Sequence, residues 1–167
     1  NYSVGKKWNI DFSGNINLSK SDNNTENRST INKISTSQTI TNNLNHVYNK
    51  GSSLVIGNGI ETKLKIDSAG SEWATNIFYY YSHHTSDQFF TTIYDSPAAP
   101  VTGGDGNGDN KRNFFSAKSD LKLKMKNKFT LEIGGRTTTH TYKNITNYFR
   151  VTGSARAKDP SRTNTFN

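Results

Sequence analysis

From Trp8 to Ser19, apolar and polar residues alternate one by one. Trp8, Ile10, Phe12, Gly14, Ile16 and Leu18 fall in one phase; Asn9, Asp11, Ser13, Asn15, Asn17 and Ser19 fall in the other. Successive side chains of a β-strand point to opposite faces, so this period of two predicts a strand with one apolar and one polar face. The pattern returns four times. Leu54, Ile56, Ile60, Leu64 and Ile66 oppose Glu61, Lys63 and Lys65. Trp73, Ile77, Tyr79 and Tyr81 oppose Asn76, Phe78, Tyr80 and Ser82, a weaker alternation. Phe115, Ala117, Leu121, Leu123 and Met125 oppose Lys118, Asp120, Lys122, Lys124 and Lys126. Phe129, Leu131, Ile133, Gly135 and Thr137 oppose Thr130, Glu132, Gly134 and Arg136. The segment LKLKMKNK fits period two far better than period 3.6, which excludes a basic amphipathic helix.

Five strands are therefore predicted, roughly at 8–19, 54–66, 72–94, 114–126 and 129–148. Their connections alternate in kind. Short turns are expected at Gly5-Lys6-Lys7, Asp67-Ser68-Ala69-Gly70 and Lys126-Asn127-Lys128, and long polar loops at 20–53, 95–113 and 150–165. Residues 31–49, with Ile34, Ile40, Leu44 and Tyr48 in phase, read as a hairpin within the first long loop. With this parity every short turn falls on one side of the sheet.

Only 31% of the chain is apolar, against the ~45–50% usual for soluble domains, which leaves too little for a second packed sheet. Yet 11% is aromatic, too rich for a disordered chain. A membrane-spanning β-barrel wall reconciles the two, because only alternate residues meet lipid and mean hydropathy stays low. The expected fold is thus all-β: one segment, residues 1–167, of an antiparallel up-and-down transmembrane barrel in the bacterial outer membrane. Short turns would be periplasmic and long loops extracellular. No apolar run approaches ~20 residues, so no membrane-spanning helix is expected. The opening NYSVGKKWNI has no apolar leader and reads as a mature or excised piece.

The phase assigns faces. Trp8, Ile10, Phe12, Ile16, Leu18, Ile60, Leu64, Ile66, Trp73, Ile77, Tyr79, Leu121, Leu123, Phe129, Leu131 and Ile133 are expected to meet lipid. Glu61, Lys63, Lys65, Lys118, Asp120, Lys122, Lys124, Glu132 and Arg136 are expected to face the lumen. Trp8, Trp73 and Phe129 each follow a short turn and would form an aromatic girdle at the periplasmic interface. Membrane barrels begin at about eight strands, so the remainder of the barrel is an expected partner, with outer-membrane lipid.

Other chemistry finds little support. The net charge of +8 alternates along strands with acids interleaved and forms no phosphate-binding footprint, so no nucleic-acid partner is expected. Without Cys there are no disulfides and no thiolate sites. No Gly-x-Ser-x-Gly, His-Glu-x-x-His or phosphate-cradling loop occurs, and no catalytic residue is expected; the chain does not read as an enzyme. In GGDGNGDN, Asp105, Asn107 and Asp109 have the spacing that opens a Ca²⁺ loop. Asn110 and Ser116 occupy the places of the required Gly and Glu, so a solvated loop tip is the better reading and no cofactor is expected. His83 and His84 are adjacent on a strand and point apart, which does not suit one metal.

Four stretches carry a family likeness: NYSVGKKWNIDFSGNINLSKSDN, KLKIDSAGSEWATNIFYYYSHH, SAKSDLKLKMKNKFTLEIGGRTTTHTYKN and DPSRTNTFN. In order and spacing the chain resembles the barrel region of Bacteroidetes outer-membrane proteins related to TonB-dependent receptors. The resemblance implies a plug domain and a TonB-contacting segment in the whole protein, and a receptor that transports a nutrient, with TonB or a surface lipoprotein as partners. Two rivals follow from the residues. A barrel could instead be a non-transport scaffold in a surface or secretion complex. A soluble β-sandwich adhesin or carbohydrate-binding module would pack its apolar faces on each other.

Overall fold

A computed structural model of the chain describes residues 2–4, 7–126 and 128–166. Gly5, Lys6 and Asn127 of the predicted turns lie outside the described residues. No helix occurs among the described residues. The strands are β1 (Tyr2–Val4), β2 (Trp8–Asn32), β3 (Thr39–Lys65), β4 (Glu72–Ser96), β5 (Ala98–Lys124), β6 (Thr130–Thr152), β7 (Ala155–Lys158) and β8 (Asn164–Phe166). They form one antiparallel sheet in the order β1-β2-β3-β4-β5-β6-β7, with β8 also pairing β6.

Five long strands are present, as the alternation predicts, but the long loops are not. Residues 20–53, 95–113 and 150–165 fold mostly as strand. β2 and β3 run through the first, joined by a turn in which Lys33 N donates to Gln38 O at 2.8 Å. β4 and β5 run through the second. The third holds a two-residue hairpin at Gly153-Ser154, then β7 and β8. The physical reason is that backbone pairing does not require an apolar face. Residues such as 20–30 are polar in both phases, so the period-two signal fades while the ladder continues.

The chain divides into two compact units. Unit 1 is Asn1–Asn17, Leu54–Ser82 and Lys111–Tyr142; unit 2 is Leu18–Ser53, His83–Asn110 and Lys143–Asn167. Unit 1 holds the turn between β3 and β4. At 66–71, Ser71 N donates to Asp67 Oδ1 at 2.8 Å and Ile66 N to Ser71 O at 2.9 Å. Gly70 closes this turn at φ +96°, a conformation that side chains disfavour. Ser71, 2% exposed, accepts a bond from Lys124 N at 2.9 Å and so fastens the turn to β5.

Alternation defines two faces. Face A carries even residues of β2 and β3 and odd residues of β4, β5 and β6; face B carries the others. Side-chain bonds respect this parity, as in Tyr79 Oη to Asn113 Oδ1 on face A and Asn76 Nδ2 to Glu61 Oε1 on face B. Among the described residues no apolar side chain is buried. The β-sandwich alternative requires such a core, and the described residues do not form one.

Candidate functional site

Face A gathers the predicted lipid-facing residues, all of them in unit 1 except Leu18, which belongs to unit 2. Phe12, Ile16 and Leu18 are 70%, 71% and 76% exposed. Ile60, Ile66, Trp73, Ile77, Tyr79, Phe129 and Ile133 are exposed as well, while Trp8, Ile10, Leu64, Leu121, Leu123 and Leu131 are half-buried. Trp8 and Trp73 meet edge to face at 6.4 Å, and Trp73 Nε1 donates to Ser119 Oγ at 2.7 Å. Two of the three proposed girdle residues are thus in contact.

Face B of unit 1 holds a concavity of about 500 Å³. Glu61, Lys63, Lys118, Asp120 and Arg136 of the predicted lumen set line it, joined by Asp11 and Asn76. Lys65, Lys122, Lys124 and Glu132 do not, although Lys122 and Glu132 pair at 2.7 Å on the same face. Lys63 pairs with Glu72 at 2.7 Å and Lys118 with Asp120 at 2.6 Å, and Arg136 Nε donates to Ser116 Oγ at 3.3 Å. Such exposed pairs add at most about 1 kcal/mol each, so their effect is a hydrated, nearly charge-balanced surface rather than stability. An aromatic ladder of Phe78, Phe114 and His140 lies on the same face, with centroids 6.1 and 6.2 Å apart. Sequence reasoning missed it, because Phe78 in the polar phase looks only like broken alternation.

In unit 2 the distribution of charge changes sides. Lys20, Asp22, Glu26, Arg28, Lys50, Asp87, Asp95, Asp105, Asp109 and Lys143 all fall on face A by strand parity. Many are paired there. Arg28 lies 3.8 Å from Asp95, His46 3.5 Å from Glu26, and Tyr48 Oη donates to Asp22 at 2.9 Å. Arg156 holds Asp105 through two nitrogens at 2.6 and 2.9 Å and stacks over the Phe149 ring at 3.6 Å. Of the described strand positions on face B of this unit, only Arg150 carries a full charge.

The Ca²⁺ arrangement does not form. Asp105, Asn107 and Asp109 lie within β5, not in a loop, and extended backbone spaces alternate residues about 7 Å apart. Each is engaged by a different partner: Asp105 by Arg156, Asn107 by Asn147 at 3.1 Å, and Asp109 by His83 at 2.8 Å. No group of three metal-ligating side chains occurs among the described residues. His83 and His84 do point apart, His83 to face A and His84 to a face B recess.

The turn between β7 and β8 is built on Asp159, 4% exposed. Its carboxylate accepts from Ser161 Oγ at 2.6 Å, Ser161 N at 3.0 Å and Arg150 Nε at 2.8 Å, and its own N–H bonds Tyr148 O at 2.8 Å. The Ser161 hydroxyl, then Arg150, hold this carboxyl below its ordinary value of 3.8. A depressed folded-state pKa stabilises the turn at pH above the ordinary value and is lost as pH falls through the depressed one. Amide protection at 159–163 is therefore expected to stay constant from neutral pH down to about 4 and to decline below it. Asp159→Asn should remove that dependence in the same hydrogen-exchange measurement.

Face B of unit 2 has two recesses. One, about 180 Å³, is lined by His84, Ser86, Gln88, Gly106, Gly108, Asn110, Asn144, Thr146 and Tyr148 among others. The second, about 430 Å³, includes Phe90, Thr102, Arg150, Asp159, Ser161 and Arg162. Tyr148 lies against Gly106, and the Phe90 ring against Gly104.

The family model that matches this sequence is described as the outer membrane protein beta-barrel family and covers residues 64–167. No curated protein matches the chain.

Proposed function

The chain belongs to the outer membrane protein β-barrel family, whose model covers more than half of it, and on that premise we propose that it forms wall of a TonB-dependent-receptor-like barrel that takes up a nutrient. Membership makes it part of a barrel wall in the bacterial outer membrane. The transport role is the proposed step. In it, face A of unit 1 meets lipid and the charged concavity of face B lines the lumen. The observation that carries the assignment is the parity of unit 1, with exposed apolar residues on one face and paired charges on the other.

Strand length supports it. About 9–11 residues of a tilted strand cross a bilayer, whereas the five long strands have 23 to 27. The rest of each strand lies in water, which fits the charges that face A carries in unit 2. A plug and TonB, directly or with a surface lipoprotein, would complete the transporter; the likeness of four stretches to TonB-dependent-receptor relatives supports this.

Substituted cysteines test the assignment in cells that display the full-length protein. Residue 77 should react only with a lipid-dissolved reagent and residue 76 only with a water-soluble one, while 92 and 93 should both take the water-soluble reagent. Equal reactivity at 76 and 77 would refute the faces. For transport, cells lacking the protein should lose accumulation of at least one labelled nutrient, as should wild-type cells given a protonophore. Unchanged accumulation would leave the barrel as a scaffold.

A further inference from the structure

The sorting of charge in unit 2 asks for a cause that the fold does not supply. On the proposed reading, on which this step rests, both faces of these strands are wetted. Water-exposed protein surface ordinarily mixes charges of both signs at about 25–35% of positions. Face A does so; face B, Arg150 apart, presents amides, hydroxyls, glycines and aromatic rings. Neither lipid nor a packed core explains such a face, since both would demand apolar groups.

We infer that face B of unit 2 binds an uncharged oligosaccharide along β5. A sugar hydroxyl both donates and accepts, and so does the planar amide of Gln88 or Asn144. A charged lining would have to be desolvated against a neutral ligand, at a cost that an amide lining largely avoids. The Tyr148 ring lies against Gly106 and offers an apolar platform for the C–H face of a pyranose. Gly106 and Gly108 carry no side chain at alternate positions of β5; the Tyr148 ring fills the place above the first, and the recess of about 180 Å³ lies against both. The larger recess is charged, lined by the Arg150–Asp159 pair and by Arg162, and lies outside the proposed site. The smaller recess, lined by no Asp, Glu, Lys or Arg, offers an acidic ligand no ion pair and suits neutral ones.

The test is calorimetric titration of the full-length protein in detergent. The probes are maltohexaose, laminarihexaose and mannohexaose, with trigalacturonate and a capped neutral hexapeptide as contrasts. At least one neutral saccharide should bind, with an affinity that changes little as salt rises about tenfold. Tyr148→Ala and Gly108→Val should each weaken it about tenfold or more. A Cβ at Gly108 meets only Ser86 Oγ, at 2.7 Å, so that variant fills the recess without disturbing backbone. Asn144→Asp, which keeps the acceptor used by Thr146 but adds charge, should weaken binding too. Retained resistance to SDS unfolding certifies each variant as folded. No binding by any neutral saccharide, binding confined to the galacturonate or the peptide, or folded variants that bind as wild type would overturn the inference. Titration needs no energised membrane. Saccharide binding without uptake would sink the transport role alone, whereas uptake of some other nutrient without saccharide binding would sink this inference alone.

Discussion

Arginine at Ile77 is expected to destabilise the folded barrel by about 2–4 kcal/mol, while arginine at Ile93 changes it by no more than about 0.5 kcal/mol. The two sites are matched. Both are isoleucines on face A of β4, and they are 39% and 38% exposed. They differ in surroundings. Ile77 lies in unit 1, about midway between Trp73 and His83, where the lipid reading puts the bilayer centre. Ile93 lies in unit 2, two residues from Asp95, which is paired with Arg28. A guanidinium near the midplane must be desolvated or must drag water inward; one beside an existing ion pair remains in water. Urea titration of the full-length protein refolded in phosphatidylcholine vesicles reads both. A sheet wetted on both faces throughout predicts small and equal effects, and that result would remove the lipid assignment.

How far the sequence discloses this fold follows from the same contrast. Where one face is apolar, every second residue is constrained, and Trp8 to Leu18 or Leu121 to Met125 can be read directly as strand, phase and face. Five of the nine predicted lumen residues line one concavity because phase alone fixes the face of a side chain. Phase does not fix which neighbours it reaches along the strand, so Lys65 and Lys124 share the face but not the recess. Beyond residue 19 of β2 neither face is apolar, and nothing in SKSDNNTENRST distinguishes a hydrogen-bonded strand from a loop. The sorting of charge was present in the sequence. It becomes legible only once residues 20–53 and 95–113 are known to be strands, because parity has no meaning in a loop. Arg156 and Asp105, fifty-one residues apart, show a second limit: their pairing depends on a hairpin at Gly153 that brings β7 back along β6.

Gly104 gives the sharpest separation between a loop tip and a strand at GGDGNGDN. A Cβ there would stand 2.5 Å from the Phe149 carbonyl oxygen and 2.8 Å from two atoms of the Phe90 ring. The carbonyl belongs to the backbone of β6 and cannot rotate aside, so valine at 104 must push β5 and β6 apart. Overpacking of this kind typically costs about 1–3 kcal/mol. Gly108 is the internal control, because there the only close atom is the Ser86 hydroxyl, which can turn away. Valine has a higher strand propensity than glycine at both positions, so that contribution cancels in the comparison and leaves the steric one. Hydrogen exchange of the full-length protein should show amide protection in β5 and β6 around residues 100–108 and 146–152 falling about ten- to hundredfold in Gly104→Val. In Gly108→Val it should hold within about threefold. Equal protection in both variants would mean that residues 103–110 are not held between β4 and β6. The uncharged face would then lose its floor, and the oligosaccharide site its geometry.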